Sequence, residues 1–484
     1  MRIASPARSP LLASILLGVA AGCSGPKGTV DSTPVGDSAG PAPEQCGYTP
    51  ATDLDPSPNT VEVDLTASSL VWDPGTGVGL DDGVAYDGTV PGPLIELNVG
   101  DTLVAHFHND LDEPSTIHWH GIRLDSSMDG GMQMMDPVQP GDSFDYIFTV
   151  PDAGFYWYHP HLDGAKLLEG GMYGAIIVHA ADEGQADCDL PMMLDDILLD
   201  EDTNQIAPPD TSMMQLMGRL GNHLMVNGKV DRRIGLTAGQ TVLMRLVNPS
   251  NARFWDVYVE GQQLEVVGTD DGWLPTPYPV SDLELTPGER YMVEFTATGN
   301  PGDELRLMNK RFQLHAADAD MVETDPLGNG DNPVATFVFG PGTVAGTPWT
   351  QPTVEPLPWS GPAATLGHHW QLNENMGAGE VSIDGQAYPN VPLVTCAANT
   401  DTTFEIENLS EMHHPFHIHG NRFEVVDVNG VPPTTPQGWK DTFDIPPYDT
   451  VTVVSDMSNP GDWMYHCHIL EHAEAGMMGE MMVQ

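Results

Sequence analysis

The chain has 484 residues, and its 17 Lys and Arg against 69 Asp and Glu give a formal net charge of −52. A surface this acidic repels nucleic acid and anionic lipid and attracts cations, metal ions among them, so we expect no nucleic-acid partner. The length allows two to four domains, and 51 Gly with 43 Pro favour a loop-rich, all-β protein over a helical one.

The first 23 residues have the features of an export signal. Arg2 and Arg8 form a positive start, an apolar run covers 11–19, and small residues precede Cys23. A cysteine at this place resembles a bacterial lipoprotein box, in which Cys23 carries a lipid that anchors the mature chain to a membrane. The alternative is an ordinary secretory signal with an incidental Cys23. Both predict an exported protein, in the periplasm or at the cell surface.

Residues 24–57 are rich in Gly, Pro, Ser, Thr and Asp and contain almost no large apolar side chain. Such a composition cannot bury a core, so it predicts a disordered tether. From about residue 60, short runs alternate polar and apolar side chains between Gly, Pro, Asn and Asp, as in 61–65 and 144–148. This alternation predicts half-buried antiparallel strands.

The rest of the chain contains one sequence unit three times. In each copy a polar turn and a strand lead to an asparagine, and a second polar turn and strand follow. The three asparagines are Asn109, Asn248 and Asn408. Three β-sandwich domains are therefore predicted at 58–182, 188–345 and 366–484, with a Pro-rich linker at 346–365.

The copies differ in their histidines. The first and third carry histidines at two places where the second has Phe254, Trp255 and Arg306. A structural histidine would have no reason to be missing from the middle copy alone. The pattern therefore predicts a site built by the first and third domains, with the middle domain as a spacer.

The strongest motif is the run 466–472, His-Cys-His-Ile-Leu-Glu-His, followed by Met477. Side chains alternate along a strand, so Cys467 points to one face while His466 and His468 point to the other, and one strand can serve two metal sites. Cys467, His472 and a third histidine give a trigonal set with Met477 as a weak axial ligand, which is the blue-copper pattern. Zinc would favour a closed tetrahedral set without the thioether.

Three further clusters hold paired histidines two residues apart. They are His118-Trp119-His120, His159-Pro160-His161 and His414-Pro415-Phe416-His417-Ile418-His419. One such pair is weak evidence for a metal site. Four clusters at matching points of a repeat indicate a site for several metal ions.

With these motifs in place, the sequence resembles the multicopper oxidases, which include laccases and cuprous oxidases. The resemblance runs from about residue 60 to the end and includes 118–121, 157–161 and 414–420. It implies an all-β fold of three cupredoxin-like Greek-key β-sandwich domains. It also implies four copper ions and the oxidation of a reducing substrate coupled to reduction of O₂ to water, with the chain acting as a monomer.

The family pattern assigns each ligand. A type 1 copper is implied at His414, Cys467, His472 and the axial Met477. A type 2 copper is implied at His118 and His417. A pair of type 3 coppers is implied at His120, His159, His161, His419, His466 and His468.

Reduction of O₂ consumes protons, so carboxylates near the cluster are candidate catalytic residues. Family members carry an Asp shortly after the first histidine pair, and Asp129 matches it. Many bacterial members place a Glu directly after the second type 1 histidine, where this chain has Ala473. Glu474 or Glu471 is then the candidate replacement.

The electron donor is less well specified. The chain contains 24 Met, with clusters at 128–135, 213–217 and 477–482. They either fill gaps in the core or bind Cu(I) as in cuprous oxidases. No long Met-rich insertion is present, so phenols or aromatic amines, the substrates of laccases, are favoured over Cu(I). The alternatives to an oxidase are a copper-buffering lipoprotein without turnover and a copper nitrite reductase.

Three cysteines remain once Cys23 is assigned to the signal and Cys467 to the motif. In an oxidising compartment two of these three can pair. Cys46 and Cys188 flank the first domain, so we predict that they form the disulfide and that Cys396 is free.

Overall fold

The computed structural model describes residues 42–132, 134–200, 202–207, 214–316, 325–347, 349–359, 361–375 and 379–484. The first sandwich consists of β1 (Thr60–Trp72), β2 (Leu80–Tyr86), β3 (Ile95–Asn98), β4 (Thr102–Asn109), β5 (His118–His120), β6 (Ser143–Thr149), β7 (Gly154–His159) and β8 (Gly174–His179). They form two four-stranded sheets, β2-β1-β4-β6 and β3-β8-β7-β5. A 3₁₀ turn at Ser126–Met128 and helix α1 (Gly164–Glu169) lie in its loops.

The middle sandwich consists of β9 (Cys188–Ile197), β10 (His223–Val226), β11 (Arg232–Ala238), β12 (Thr241–Val247), β13 (Trp255–Val259), β14 (Leu264–Thr269), β15 (Gly272–Val280), β16 (Leu283–Leu285), β17 (Arg290–Thr296), β18 (Glu304–Lys310) and β19 (Asn332–Thr343). Its sheets are β10-β9-β12-β17-β14-β15 and β11-β19-β18-β13-β16. A short helix, α2 (Met214–Met217), lies before β10.

The third sandwich consists of β20 (Thr365–Asn375), β21 (Glu380–Ile383), β22 (Val394–Cys396), β23 (Thr402–Asn408), β24 (His414–Ile418), β25 (Glu424–Val428), β26 (Thr442–Ile445), β27 (Thr450–Ser455), β28 (Gly461–Cys467) and β29 (Met478–Val483). Its sheets are β21-β20-β23-β27-β25 and β22-β29-β28-β24-β26. Helix α3 (Leu470–Glu474) follows β28. The three cupredoxin-like β-sandwiches predicted from the sequence are confirmed.

The same asparagine corner recurs in all three sandwiches. The side-chain amides of Asn109, Asn248 and Asn408 are fully buried, and each donates to two backbone carbonyls. Each side-chain oxygen accepts the backbone N–H two residues further on. A buried amide with all these partners satisfies loop groups that no strand pairs with. This shared role explains why the asparagine marks each copy of the repeat.

The apolar core of the first sandwich is continuous with that of the third, whereas most of the middle sandwich has a core of its own. The first and third sandwiches therefore face each other directly. None of the helices in the described parts of the chain is long and apolar enough to cross a membrane.

The prediction of a disordered tether at 24–57 is wrong for its last part. The backbone of Glu44 exchanges hydrogen bonds with Arg233 and Gly235, and the N–H of Ala51 donates to the carbonyl of Leu94. The predicted disulfide between Cys46 and Cys188 is present, with a Cα–Cα distance of 5.6 Å. Backbone pairing and one covalent link thus hold this polar stretch without a core of its own. The predicted export signal and lipidation at Cys23 lie outside the described residues.

Candidate metal centre

Strand register brings the histidine motifs together in pairs. In the first sandwich β5 runs antiparallel to β7, and His118 lies opposite His159. In the third sandwich β24 runs antiparallel to β28, and His417 lies opposite His466. The paired motifs are about 40 and 50 residues apart in the sequence. Strand pairing makes them neighbours, because directly opposed Cα atoms lie only about 5 Å apart.

The two pairs then meet across the contact between the first and third sandwiches. The ring of His118 stacks on that of His419 with centroids 3.9 Å apart, and the ring of His120 stacks on that of His417 at 3.8 Å. All four side chains are buried. One histidine cluster therefore has contributions from both sandwiches, as the repeat predicted.

Three imidazoles of the cluster point their nitrogens at a common centre. The Nε2 atoms of His161, His419 and His466 lie 3.1–3.3 Å from one another. A second group with its donor atoms within 4.8 Å consists of His118, His120 and His159. Because these nitrogens face one another, most of their lone pairs have no hydrogen-bond donor to accept from. Imidazole nitrogens are arranged in this way around a bound metal ion.

Several buried ring nitrogens have no hydrogen-bond partner among the described residues. They include His118 Nε2, His120 Nδ1, His159 Nε2, His417 Nε2 and both ring nitrogens of His468. In the first four residues the other nitrogen is bonded to a protein oxygen, which fixes the ring and its tautomer. Burial holds the pKa of His120, His159 and His468 well below the usual range, so these rings are neutral and can coordinate metal.

A separate site lies on the other side of β28. The Sγ atom of Cys467 is 3.6 Å from Nδ1 of His414 and 3.7 Å from Nδ1 of His472. Met477 is fully buried, and its backbone N–H donates to the carbonyl of His472 while its carbonyl accepts the N–H of Cys467. A cysteine sulfur and two imidazoles, with a buried methionine bonded through its backbone to Cys467 and His472, fit copper better than Zn²⁺, Mg²⁺ or Ca²⁺.

Comparison with known proteins agrees with this geometry. Three family models, each described as multicopper oxidase, match residues 75–183, 189–322 and 362–484. The multicopper oxidase mco of Staphylococcus aureus is 29% identical over 83% of this chain and 83% of its own length. The chain belongs to the multicopper oxidase family.

Two solved structures show how far this likeness extends. The multicopper oxidase of Campylobacter jejuni, a metallo-oxidase, is 25% identical, has a TM-score of 0.79, and the match covers 92% of this chain and 96% of that one. The laccase of Pediococcus acidilactici is 25% identical, has a TM-score of 0.78, and the match covers 92% of this chain and 94% of that one. This multicopper oxidase is therefore an oxidoreductase by family, and it is about equally similar to a relative called a metallo-oxidase and to one called a laccase.

The two predicted catalytic carboxylates occupy different positions in this multicopper oxidase. Asp129 is buried inside the cluster, where its Oδ2 atom accepts from Nδ1 of His419 at 2.7 Å. Glu474 lies at the surface end of α3 and accepts the N–H of Ala165 at 2.8 Å. Partial burial of its carboxyl raises the pKa of Glu474 to about 7.

A cavity of about 1200 Å³ joins Glu474 to the cluster. His161 and His466 line one part of it, and Glu471 and Glu474 line another. Glu471 is buried, with one carboxylate oxygen accepting from Asn251 at 2.9 Å and the other lacking a partner among the described residues. Glu471 and Glu474, the two candidates to replace the glutamate that Ala473 lacks, thus line the same cavity.

Two contacts of the site were not predicted from the sequence. Asp441 accepts a hydrogen bond from Nε2 of His120 at 3.0 Å, although the Lys-Asp-Thr run that contains it carries no metal motif. The carbonyl of Leu216 accepts from Nε2 of His472 at 3.1 Å and covers this ring from the middle sandwich. Neither contact has a local sequence signal, because each joins residues far apart in the chain.

Proposed function

We propose that the protein oxidises a small reducing donor at a copper held by Cys467 and reduces O₂ to water at a three-copper cluster held by histidines. The observation that carries this proposal is the position of Cys467. Its sulfur faces His414 and His472, while the residues on either side of it, His466 and His468, belong to the cluster.

The proposed ligands follow the family pattern. A single type 1 copper would be held by His414, Cys467, His472 and Met477. A type 2 copper would be held by His118 and His417. A type 3 pair would be held by His120, His159, His161, His419, His466 and His468. When bound, copper supplies one-electron chemistry, so four electrons taken singly from donors combine with one O₂ and four protons to give two waters.

The chain contributes a path for electrons and a dry environment around Cys467. The sulfur of Cys467 is joined through the main chain to His466 and His468, so an electron entering at the sulfur has a covalent path to two cluster imidazoles. Cys467 and its flanking histidines are at most 2% exposed. Water exclusion around the Cys467 sulfur strengthens the electrostatic interactions there.

The cover over His472 favours a particular class of donor. His472 is fully buried, and its outer nitrogen is bonded to Leu216 rather than open to a substrate. A bulky phenol therefore has no direct access to this ring. The next residue, Met217, is half-buried, and a thioether binds Cu(I) well. We therefore place Cu(I) first as the donor, with phenols and aromatic amines second.

Steady-state kinetics test this preference. We expect a larger kcat/KM for Cu(I) than for a simple phenol, and Met217→Leu is expected to raise the KM for Cu(I) about 10-fold with the phenol unaffected. Met308→Leu, in β18 of the middle sandwich, is the matched control and is expected to change neither. A larger kcat/KM for phenol would instead assign a laccase-like donor.

The oxidase class itself is tested by copper content and oxygen consumption. We expect four copper ions per chain, an intense blue absorption and O₂ uptake with Cu(I) or phenol. Full copper loading without O₂ uptake in the presence of any donor would indicate a copper-buffering protein instead.

Protons are proposed to reach the histidine cluster along the cavity that Glu474 lines. Glu474→Gln keeps the shape but cannot release a proton, so kcat is expected to fall about 10-fold or more while the blue absorption stays unchanged. Glu113→Gln, also at the cavity wall, is the control. An unchanged kcat in Glu474→Gln together with a fall in Glu471→Gln would transfer this role to Glu471.

A further inference from the structure

One turn of the middle sandwich reaches the histidine cluster. Gly288, in the turn before β17, has φ 89°, and a Cβ atom added there would lie 2.8 Å from Cδ2 of His468. Only glycine fits so close an approach with this backbone conformation. The middle sandwich thus packs directly on a cluster imidazole at this point.

Two residues further on, Arg290 connects all three sandwiches. Its Nη1 and Nη2 atoms donate to the two carboxylate oxygens of Asp441 in the third sandwich, at 2.7 and 2.6 Å. Its Nε atom donates to the carbonyl of Phe155 in the first sandwich at 3.1 Å. The side chain is fully buried. A bidentate pair of this kind fixes the plane of the carboxylate as well as its position.

Asp441 in turn holds two cluster histidines. Its Oδ1 atom accepts from Nε2 of His120 at 3.0 Å, and its backbone carbonyl accepts from Nδ1 of His417 at 2.9 Å. The opposite nitrogens, His120 Nδ1 and His417 Nε2, are the ones without partners. Asp441 therefore orients both free nitrogens, together with the hydroxyl of Thr442, which lies 3.1 Å from the same two bonded nitrogens.

The chain makes room for this guanidinium next to the first histidine motif. Gly121 directly follows His120 and has φ 89°, and a Cβ atom there would lie 2.2 Å from Nη2 of Arg290. The middle sandwich also fixes the backbone of Asp441, whose N–H donates to Asp270 at 3.2 Å. Lys440 is held by Asp270 and Glu289 at 3.2 and 2.7 Å. Buried middle-sandwich groups thus hold both Asp441 and the residue before it.

We propose that Arg290 is a positioning residue for the copper cluster, acting through Asp441 on His120 and His417. This inference rests on the proposed function for the identity of the metal. It gives the middle sandwich a specific role in the site, where its lack of histidines had indicated a spacer. Lysine cannot replace arginine here, because an ammonium is a point charge without a planar pair of donors.

The test compares two arginines of the same sheet. Arg245, on β12 beside β17, is equally buried and is paired with Asp189 and Glu183, away from the histidines. Arg290→Lys and Arg245→Lys therefore remove the same chemistry at two places. For each variant we would measure copper per chain, the electron paramagnetic resonance spectrum, the rate of copper loss to a chelator and the kcat and KM.

In Arg290→Lys we expect an altered type 2 copper spectrum, about 10–100-fold faster copper loss or lower kcat, and an unchanged KM and blue absorption. Arg245→Lys is expected to retain the wild-type spectrum and kcat. If Arg290→Lys has the wild-type spectrum and loses copper at the wild-type rate, the proposal is overturned. Equal changes in both variants would overturn it as well. Asp441→Asn, which keeps the side chain's shape, provides a second reading if Arg290→Lys folds poorly.

The failure of the proposed function has a different signature. Wild-type protein that binds copper but consumes no O₂ would refute the oxidase, while the spectrum and chelator measurements would still report on Arg290.

Discussion

The middle sandwich and its two neighbours share one fold but differ in what their loops carry. All three keep the buried asparagine corner with the same hydrogen bonds. At the positions that follow it, the first and third sandwiches have the histidines proposed as copper ligands, whereas the middle one has Phe254, stacked on Phe312 at 4.7 Å, and Trp255, bonded to Ser250. The corner is retained because the fold depends on it, and the ligands are free to change.

The loss of histidines did not separate the middle sandwich from the site. Gly288 lies against the cluster ring of His468, and Arg290 binds Asp441, which is bonded to two cluster histidines. The carbonyl of Leu216 accepts from His472 of the separate Cys467 site. All three middle-sandwich residues lie outside the histidine positions of the repeat. A repeat unit can thus exchange a direct ligand for an indirect contact. Direct ligands and indirect contacts are expected to differ in how strongly their substitution affects the site.

The largest effect is expected from the third sandwich. Cys467→Ser removes the soft ligand and should abolish the blue absorption. Turnover should fall by more than the roughly 10–100-fold that loss of an outer contact to a metal site costs. Cys396→Ser, at another buried and unpaired cysteine of the same sandwich, should leave both unchanged. A blue, active Cys467→Ser variant would contradict the assignment of the sulfur.

A smaller effect is expected from the first sandwich. Asp129→Ala removes the carboxylate that accepts from His419, so kcat for O₂ reduction should fall about 10–100-fold while the blue absorption stays intact. Asp125→Ala, which only caps the adjacent 3₁₀ turn, is the control. Unchanged turnover in Asp129→Ala would remove this residue from the mechanism.

The smallest effect concerns the boundary between the first and middle sandwiches. Burial disfavours the charged form of His179, but hydrogen bonds to Glu183 and Glu96 outweigh it and raise the pKa of His179 to about 9. A raised pKa means that its contribution to stability is complete below the unfolded value of about 6.5 and is lost as the pH rises through about 9.

His179→Gln should therefore flatten the pH dependence of stability between pH ~6.5 and ~9.5, by on the order of 1–3 kcal/mol. Melting temperatures of wild type and variant at both pH values measure this, with copper content as the control. Parallel loss of stability in both proteins would show that His179 does not hold this boundary.

Most of the proposed ligand set has signals in the sequence because those signals are local. Alternation along one strand separates Cys467 from His466 and His468, and the repeat pairs the first and third copies. The outer contacts could not be predicted in the same way. Arg290 lies in a Pro-Gly-Glu-Arg turn, a composition typical of an exposed loop, and nothing near it indicates a buried ion pair with Asp441.

The sequence alone thus determined the three β-sandwiches and predicted copper and the histidines proposed to bind it, because strand period and repeat position are properties of neighbouring residues. Tertiary structure decided which imidazole nitrogen is free, what covers His472 and how the middle sandwich reaches the cluster. Those outcomes depend on groups brought together from all three sandwiches, and on burial that turns a surface-type arginine into a fixed contact of the metal centre.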